Sequence, residues 1–145
     1  MIIDFEFEAN QPLTSADIEA FEGRIGKILP EDYKQHMLKW NGGRVRQLNL
    51  EHKNHPDDGD MSLSYFYAID YDVTTIESLM GYLGDAMPKD FILIGSTNAA
   101  KVIMSLKDND YGEISVMFSD GYIIDMSPSF SQFLEDYSEV DDDNY

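Results

Sequence analysis

The chain has 145 residues, 28 of them acidic and 10 basic, for a formal net charge of −18, and 43% are hydrophobic. That length fits one domain with a core of ordinary size, and the apolar content excludes a disordered acidic chain. The lack of cysteine excludes a disulfide framework, a thiolate nucleophile and any Cys-based zinc or iron–sulfur site.

Residues 2–8 alternate, with Ile3, Phe5 and Phe7 on one side and Asp4, Glu6 and Glu8 on the other. This predicts a half-buried strand with an acidic outer face. The acidic start is not the basic n-region of a leader, and no apolar stretch approaches the ~20 residues of a membrane span. The expectation is therefore a soluble, cytoplasmic protein with no membrane contact. After Pro12, Thr14 and Asp17 have capping-box spacing, and Leu13 and Ile18 are placed as a hydrophobic staple. The helix that follows puts Ile18, Phe21 and Ile25 on one face and ends at Gly26. Pro30 opens a second helix with Glu31 and Asp32 in its first turn, where acids meet the positive end of the dipole. Tyr33, Met37 and Trp40 form its apolar stripe, and Asn41-Gly42-Gly43 ends it.

The period then changes. Residues 45–50 read as a short strand and residues 51–61 as a polar loop rich in breakers. Residues 62–69 read as an aromatic strand with Leu63, Tyr65, Tyr67 and Ile69 on one face. Residues 75–83 fit a helix presenting Ile76, Leu79, Met80 and Leu83, and residues 91–94 a buried strand. Residues 102–106, 114–118 and 122–126 read as three antiparallel strands joined by turn-forming segments. Residues 129–137 form a short closing helix with Phe130, Phe133, Leu134 and Tyr137 inward. The expected fold is α+β: N-terminal helices packed on a mostly antiparallel, twisted sheet, with a closing C-terminal helix. The domain is expected over residues 1–138, with an acidic, frayed tail at 139–145.

Charge is unevenly spread. The 38 residues from Asp108 onward hold eleven acids and no Lys, Arg or His, whereas the first 107 hold 17 acids against 10 bases. Such a field attracts basic partners and repels nucleic acid and anionic membranes.

His52-x-x-His55 with Asp57, Asp58 and Asp60 carries metal-binding residue types, but in a Pro- and Gly-containing loop at no established ligand spacing, so no metal is expected. Asp108-x-Asp110-x-Gly112-Glu113 resembles a calcium loop, yet its glycine comes too early and Ser119 stands where the bidentate acid belongs; it reads as a hairpin turn. Neither a phosphate-binding Gly-x-x-x-x-Gly-Lys motif nor a Gly-x-Ser-x-Gly elbow occurs, so neither catalysis nor a cofactor is expected. Tyr65-Phe66-Tyr67 with Tyr71 could stack bases, but stacking sites sit in positive grooves, and only Arg44 and Arg46 form a local basic pair.

Ile18-Glu19-Ala20-Phe21-Glu22, then Ile25-Gly26-Lys27-Ile28-Leu29-Pro30-Glu31-Asp32-Tyr33, then Leu38-Lys39-Trp40-Asn41-Gly42-Gly43 resembles the N-terminal signature of the SUKH superfamily. Phe91-Ile92-Leu93-Ile94-Gly95, Tyr111-Gly112-Glu113-Ile114 and the closing Ser129-Phe130-Ser131-Gln132-Phe133-Leu134 are similar too. Family members often have glycines after the Ile-Gly step; here the loop reads Ser96-Thr97-Asn98-Ala99-Ala100, so its shape is expected to differ. The resemblance implies an immunity protein that neutralises a cognate bacterial toxin domain without being an enzyme. The acidity adds that the toxin is a basic nuclease, an RNase in preference, met through Asp57, Asp58, Asp60, Asp70, Asp72, Glu113 and Asp120. The alternative is a regulatory or adaptor domain of the same fold that binds another basic protein.

Overall fold

In a computed structural model, which describes residues 5–6, 11–45, 50–52 and 63–139, helix α1 spans Ser15–Ile25 and starts on the expected capping box. The Thr14 N–H donates to Asp17 Oδ2 at 2.9 Å, and the Asp17 N–H donates to Thr14 Oγ1 at 3.2 Å. Leu13 and Ile18 are both buried, as a staple requires, and Gly26 ends the helix at φ 72°. Helix α2 is Glu31–Lys39, one residue later than expected, because Pro30 stands before the first helical residue with extended ψ. Between the helices, buried Glu22 accepts the Leu29 N–H at 2.7 Å, so a side chain of α1 fixes the loop that aims α2.

Strands β1 (Phe5–Glu6), β2 (Gly43–Val45), β4 (Leu63–Phe66), β5 (Phe91–Thr97), β6 (Lys101–Ser105), β7 (Ile114–Met117) and β8 (Ile123–Ser127) form one sheet in that spatial order. Every pairing in it is antiparallel. A separate two-stranded sheet joins β3 (Leu50–His52) to β9 (Tyr137–Glu139). Helix α3 (Ile76–Leu83) starts on a second capping box at Thr75, and α4 is Phe130–Asp136. The class is α+β, with N-terminal helices and a C-terminal helix on an antiparallel sheet.

Two local expectations change. Of the short strand expected over residues 45–50, Val45 belongs to β2 and Leu50 to β3, and residues 46–49 lie outside the described residues. Tyr137 leaves the closing helix, because its backbone and that of Glu139 pair with His52 and Leu50. Of the N-terminal strand, only Phe5 and Glu6 lie within the described residues, paired with Val45 and Arg44.

The second change concerns the aromatic strand. Register shifts between Leu63 and Tyr65, and between Leu93 and Gly95, break the two-residue alternation. Phe66 is consequently buried, whereas Tyr65 is only half-buried. Gly95 makes this possible: a Cβ there would lie 2.5 Å from the Tyr65 carbonyl oxygen and 2.9 Å from the Phe66 ring. The freed ring joins an aromatic layer between helices and sheet, with centroids 5.6 Å from Phe130 and 5.8 Å from His36. Tyr33 meets Phe130 edge-on at 5.1 Å.

Helix α4 is anchored to α2 by charge as well as packing. Asp32 Oδ2 accepts the Ser131 N–H at 2.9 Å and its hydroxyl at 3.0 Å, which supplies donors of the first turn of α4 with a carboxylate from another helix.

Candidate partner-binding surface

The loop carrying Asp70 and Asp72 is built on the Asn41-Gly42-Gly43 segment. Asn41, nearly fully buried, accepts the Ile69 N–H at 2.9 Å and donates its amide to the carbonyls of Asp70, at 2.6 Å, and Gln11, at 3.2 Å. Gly42 passes so near this loop, at φ 76°, that a Cβ would sit 2.7 Å from the Ala68 nitrogen. The loop closes at its base where Ala68 bridges Thr75 and its carbonyl accepts the Ile76 N–H at 2.9 Å. Residues 69–74 thus form a projection tied at both ends.

Its charges are partly spent internally. Arg24 reaches Glu77 at 2.7 Å and Asp70 at 3.5 Å, and Asp72 Oδ1 accepts the Val73 N–H at 2.6 Å. Tyr71 takes the left-handed region, φ 63°, and its hydroxyl donates to Asp17 Oδ1 at 2.9 Å. The Thr14 N–H, and after it this tyrosine, hold the Asp17 carboxyl below the usual carboxylate range. Val73 is 97% exposed at the tip. Of the two loop acids, Asp72 carries no counter-ion among the described residues.

Glu113 stands at a different place, where the β6–β7 connection enters β7. Tyr111 donates its hydroxyl to the Ile28 carbonyl, and Gly112 passes against Pro30, so this connection is docked on the α1–α2 loop. Its Asp108–Asp110 stretch forms a 3-10 turn, and Asp110 accepts from the Ser105 hydroxyl and pairs with Lys107 at 3.5 Å. Burial pushes the Glu113 carboxyl up, and the neighbouring Asp125 and Asp110 charges push it further. Asp125 accepts from Ser115 Oγ at 3.1 Å across the β7–β8 ladder.

Because its folded pKa is raised, Glu113 is more easily protonated folded than unfolded, so its charge subtracts stability at neutral pH and the deficit disappears as the pH falls through the raised value. Glu113→Gln should therefore raise the urea midpoint at pH 7 modestly, by less than about 1 kcal/mol, and leave it unchanged near pH 3. A loss of stability at pH 7 would contradict the crowding of carboxyls.

Asp120 lies at the opposite end of β7, since Ile114 pairs with Ser127 and Met117 with Ile123. Its Oδ1 accepts the Tyr122 N–H at 3.0 Å inside the turn between Phe118 and Gly121. The candidate acids within the described residues, Asp70, Asp72, Glu113 and Asp120, therefore fall at three places: the 69–74 loop, the Glu113–Asp125 corner and the β7–β8 turn. Asp57, Asp58, Asp60 and His55 lie outside the described residues. No group of three or more His, Asp or Glu suited to a metal occurs among the described residues. Sequence reasoning missed Asp125, whose closeness to Glu113 follows from pairing the two strands about the Asp120 turn, and Asn41, which it read only as a helix terminator.

A cleft of about 700 Å³ opens beside Asp120. It runs between the β5–β6 turn, the β7–β8 turn and the residues that end α3, with Leu83, Ala86, Met117 and Phe118 among its walls. The β5–β6 turn is the loop that lacks the family's glycines, and it closes through Thr97: its N–H donates to the Ala100 carbonyl at 2.8 Å, and its Oγ1 accepts the N–H groups of Ala99 at 3.1 Å and Ala100 at 2.9 Å. The side chain of a threonine thus supplies the tight reversal.

Helices of both chain ends packed on a long antiparallel sheet, with acids and tyrosines displayed from its turns, define an acidic α+β domain whose features lie on its surface. The chain belongs to the SMI1 / KNR4 family (SUKH-1), whose model matches residues 12–136. The match takes in both helices of the signature, the Asn41 clip, both turns beside the cleft and α4. That membership is consistent with an immunity-like or regulatory domain. No curated protein matches the chain. Among the described residues, no helix is long and apolar enough to cross a membrane.

Proposed function

We propose that the protein is an immunity protein that binds a cognate bacterial toxin domain in the cytoplasm and neutralises it stoichiometrically, the toxin being a basic nuclease and an RNase in preference. The observation that carries this reading is a family match over residues 12–136 in a chain of net charge −18. A nuclease needs positive charge to hold phosphates, and an acidic protein surface competes for that charge. Electrostatic steering raises association toward ~10⁸–10⁹ M⁻¹s⁻¹ at low salt, which suits an inhibitor that must act before its target does. The contact residues proposed are Asp57, Asp58, Asp60, Asp70, Asp72, Glu113 and Asp120. Asp72 and Asp120 rank first among the described ones, because neither is paired with a cation there, whereas Asp70 meets Arg24.

The test is co-expression with the toxic domain encoded by the neighbouring gene. A 1:1 complex that abolishes its nuclease activity is expected, with an association rate falling on the order of tenfold or more as the Debye length shrinks from ~30 Å to ~8 Å. A partner that binds but has no toxicity would favour the adaptor reading; failure to bind or protect would sink the immunity reading.

A further inference from the structure

We propose that the cleft beside Asp120 is a seat for an arginine side chain of the basic partner. This rests on the reading that the partner is a basic protein, and gives that reading a defined anchor point. Three independent features of the cleft converge on this chemistry.

The first is its apolar floor. Leu83, Met117 and Phe118 offer surface for the aliphatic stem of a long cationic side chain, which gains by burying its methylenes while its head stays polar. At about 700 Å³ the cleft lies within the size range of sites that enclose a drug-sized ligand, so it admits the side chain together with the backbone that carries it. The second is the carboxylate at its mouth. The Tyr122 N–H pins Asp120 through Oδ1, and Oδ2 makes no hydrogen bond among the described residues. That leaves a fixed acceptor in the cleft wall, near the apolar surface of Met117 and Phe118. The third is aromatic. Phe118 is in the cleft wall, and the Tyr122 ring, 63% exposed, lies 6.3 Å from it. Aromatic faces beside a carboxylate favour the planar guanidinium over ammonium, since it stacks and donates in a fork at once. Tyrosine and arginine are also the residues that concentrate binding energy at protein interfaces.

The wall also holds one cation, a like charge near the incoming guanidinium that the Asp120 carboxylate has to offset. Lys101 donates to the Tyr67 hydroxyl at 3.3 Å and lies 5.9 Å from the centre of that ring, so it is engaged on its own sheet neighbour. The net charge of −18 supplies the long-range attraction, and the cleft supplies the short-range fit.

The experiment titrates the protein with the capped tripeptide acetyl-Gly-Arg-Gly-amide at physiological salt and follows backbone amide shifts. Saturable shifts are expected at Ala99–Lys101 and Phe118–Gly121, with a dissociation constant of about 1–10 mM. The citrulline peptide, equal in shape but uncharged, should produce at most about one fifth of the effect. Asp120→Asn keeps the Oδ1 acceptor that the turn needs and removes the charge, and should weaken binding about fivefold or more. Glu19→Gln removes the same charge on α1, away from the cleft and from the proposed contact residues, and should change nothing. Shifts spread evenly over Asp72, Glu113 and Asp120, equal damage from the two variants, or no shift at the cleft would overturn the proposal. The titration uses no toxin: a negative result beside successful neutralisation refutes the cleft alone, whereas failed neutralisation beside a positive titration refutes the immunity reading alone.

Discussion

Asn41→Ala is expected to cost about 3 kcal/mol of folding stability, read as a lower urea midpoint with an unchanged slope. The side chain answers one buried backbone donor, at Ile69, and the carbonyls of Asp70 and Gln11. Alanine removes all three bonds and leaves the Ile69 N–H without that acceptor in a place where water does not readily substitute. Each buried group stranded in this way costs about 1–3 kcal/mol, and the Ile69 donor and Asp70 acceptor are the better placed pair. Against a total stability of about 5–15 kcal/mol, the loss is large. Asn41→Asp should fail similarly, because a carboxylate would face the two carbonyls to which the amide donates. A loss below about 1 kcal/mol for both variants would show that the loop is held by other means. Even where the variant remains folded, release of residues 69–74 should weaken any partner contact made through Asp72.

The second large effect concerns acid. His36 is buried in the aromatic layer, 4.7 Å from Phe130 and 5.2 Å from Trp40, and its pKa is pushed down to about 4, chiefly by burial and secondarily by Lys39. Folded, the imidazole stays neutral; unfolded, it takes up a proton near pH 6.5. The unfolded chain therefore binds more protons between these values. Stability is full above about pH 6.5 and falls as the pH drops toward about 4. Between pH 7 and pH 5 the loss should be on the order of 2 kcal/mol. Carboxyls with depressed values, such as Asp17 and Glu31, act in the same direction at lower pH, and the raised Glu113 acts in the opposite one, so comparison with a His36 variant isolates the histidine. His36→Phe should flatten the dependence of the urea midpoint over pH 5–7, whatever its baseline stability. The same slope in variant and parent would assign the acid sensitivity elsewhere.

What could be read from the residues was local. The capping box at Thr14 and Asp17, the stop at Gly26 and the β6–β7–β8 run each depend on residues close in the chain, and each was legible for that reason. The exchange of Phe66 for Tyr65 on the core side was not, because it follows from a register shift that requires Gly95 on a strand some thirty residues away. The same distance hid the role of Asn41: an Asn-Gly-Gly run after a helix signals termination, and nothing near it in sequence points to the Ile69 and Asp70 backbone. For the surface, composition told the sign of the charge but not its grouping. Glu113 and Asp120 sit seven residues apart and look like neighbours, yet a strand between them sends them to opposite ends of the sheet. The cleft was illegible altogether, since its walls come from three separate turns and helix ends.

The carboxylate of Asp32 on the first turn of α4 has a kinetic meaning. The β5 to β8 strands are neighbours in sequence and can pair through short loops as soon as they are made. The helical layer cannot, because α2 must wait for Phe130 and Ser131 to emerge from the ribosome nearly a hundred residues later. At about 5–20 residues per second, the early helices spend several seconds without their lid. During that interval Tyr33, His36 and Phe66 lack the Phe130 ring that packs on all three in the folded domain, so the aromatic layer is completed last.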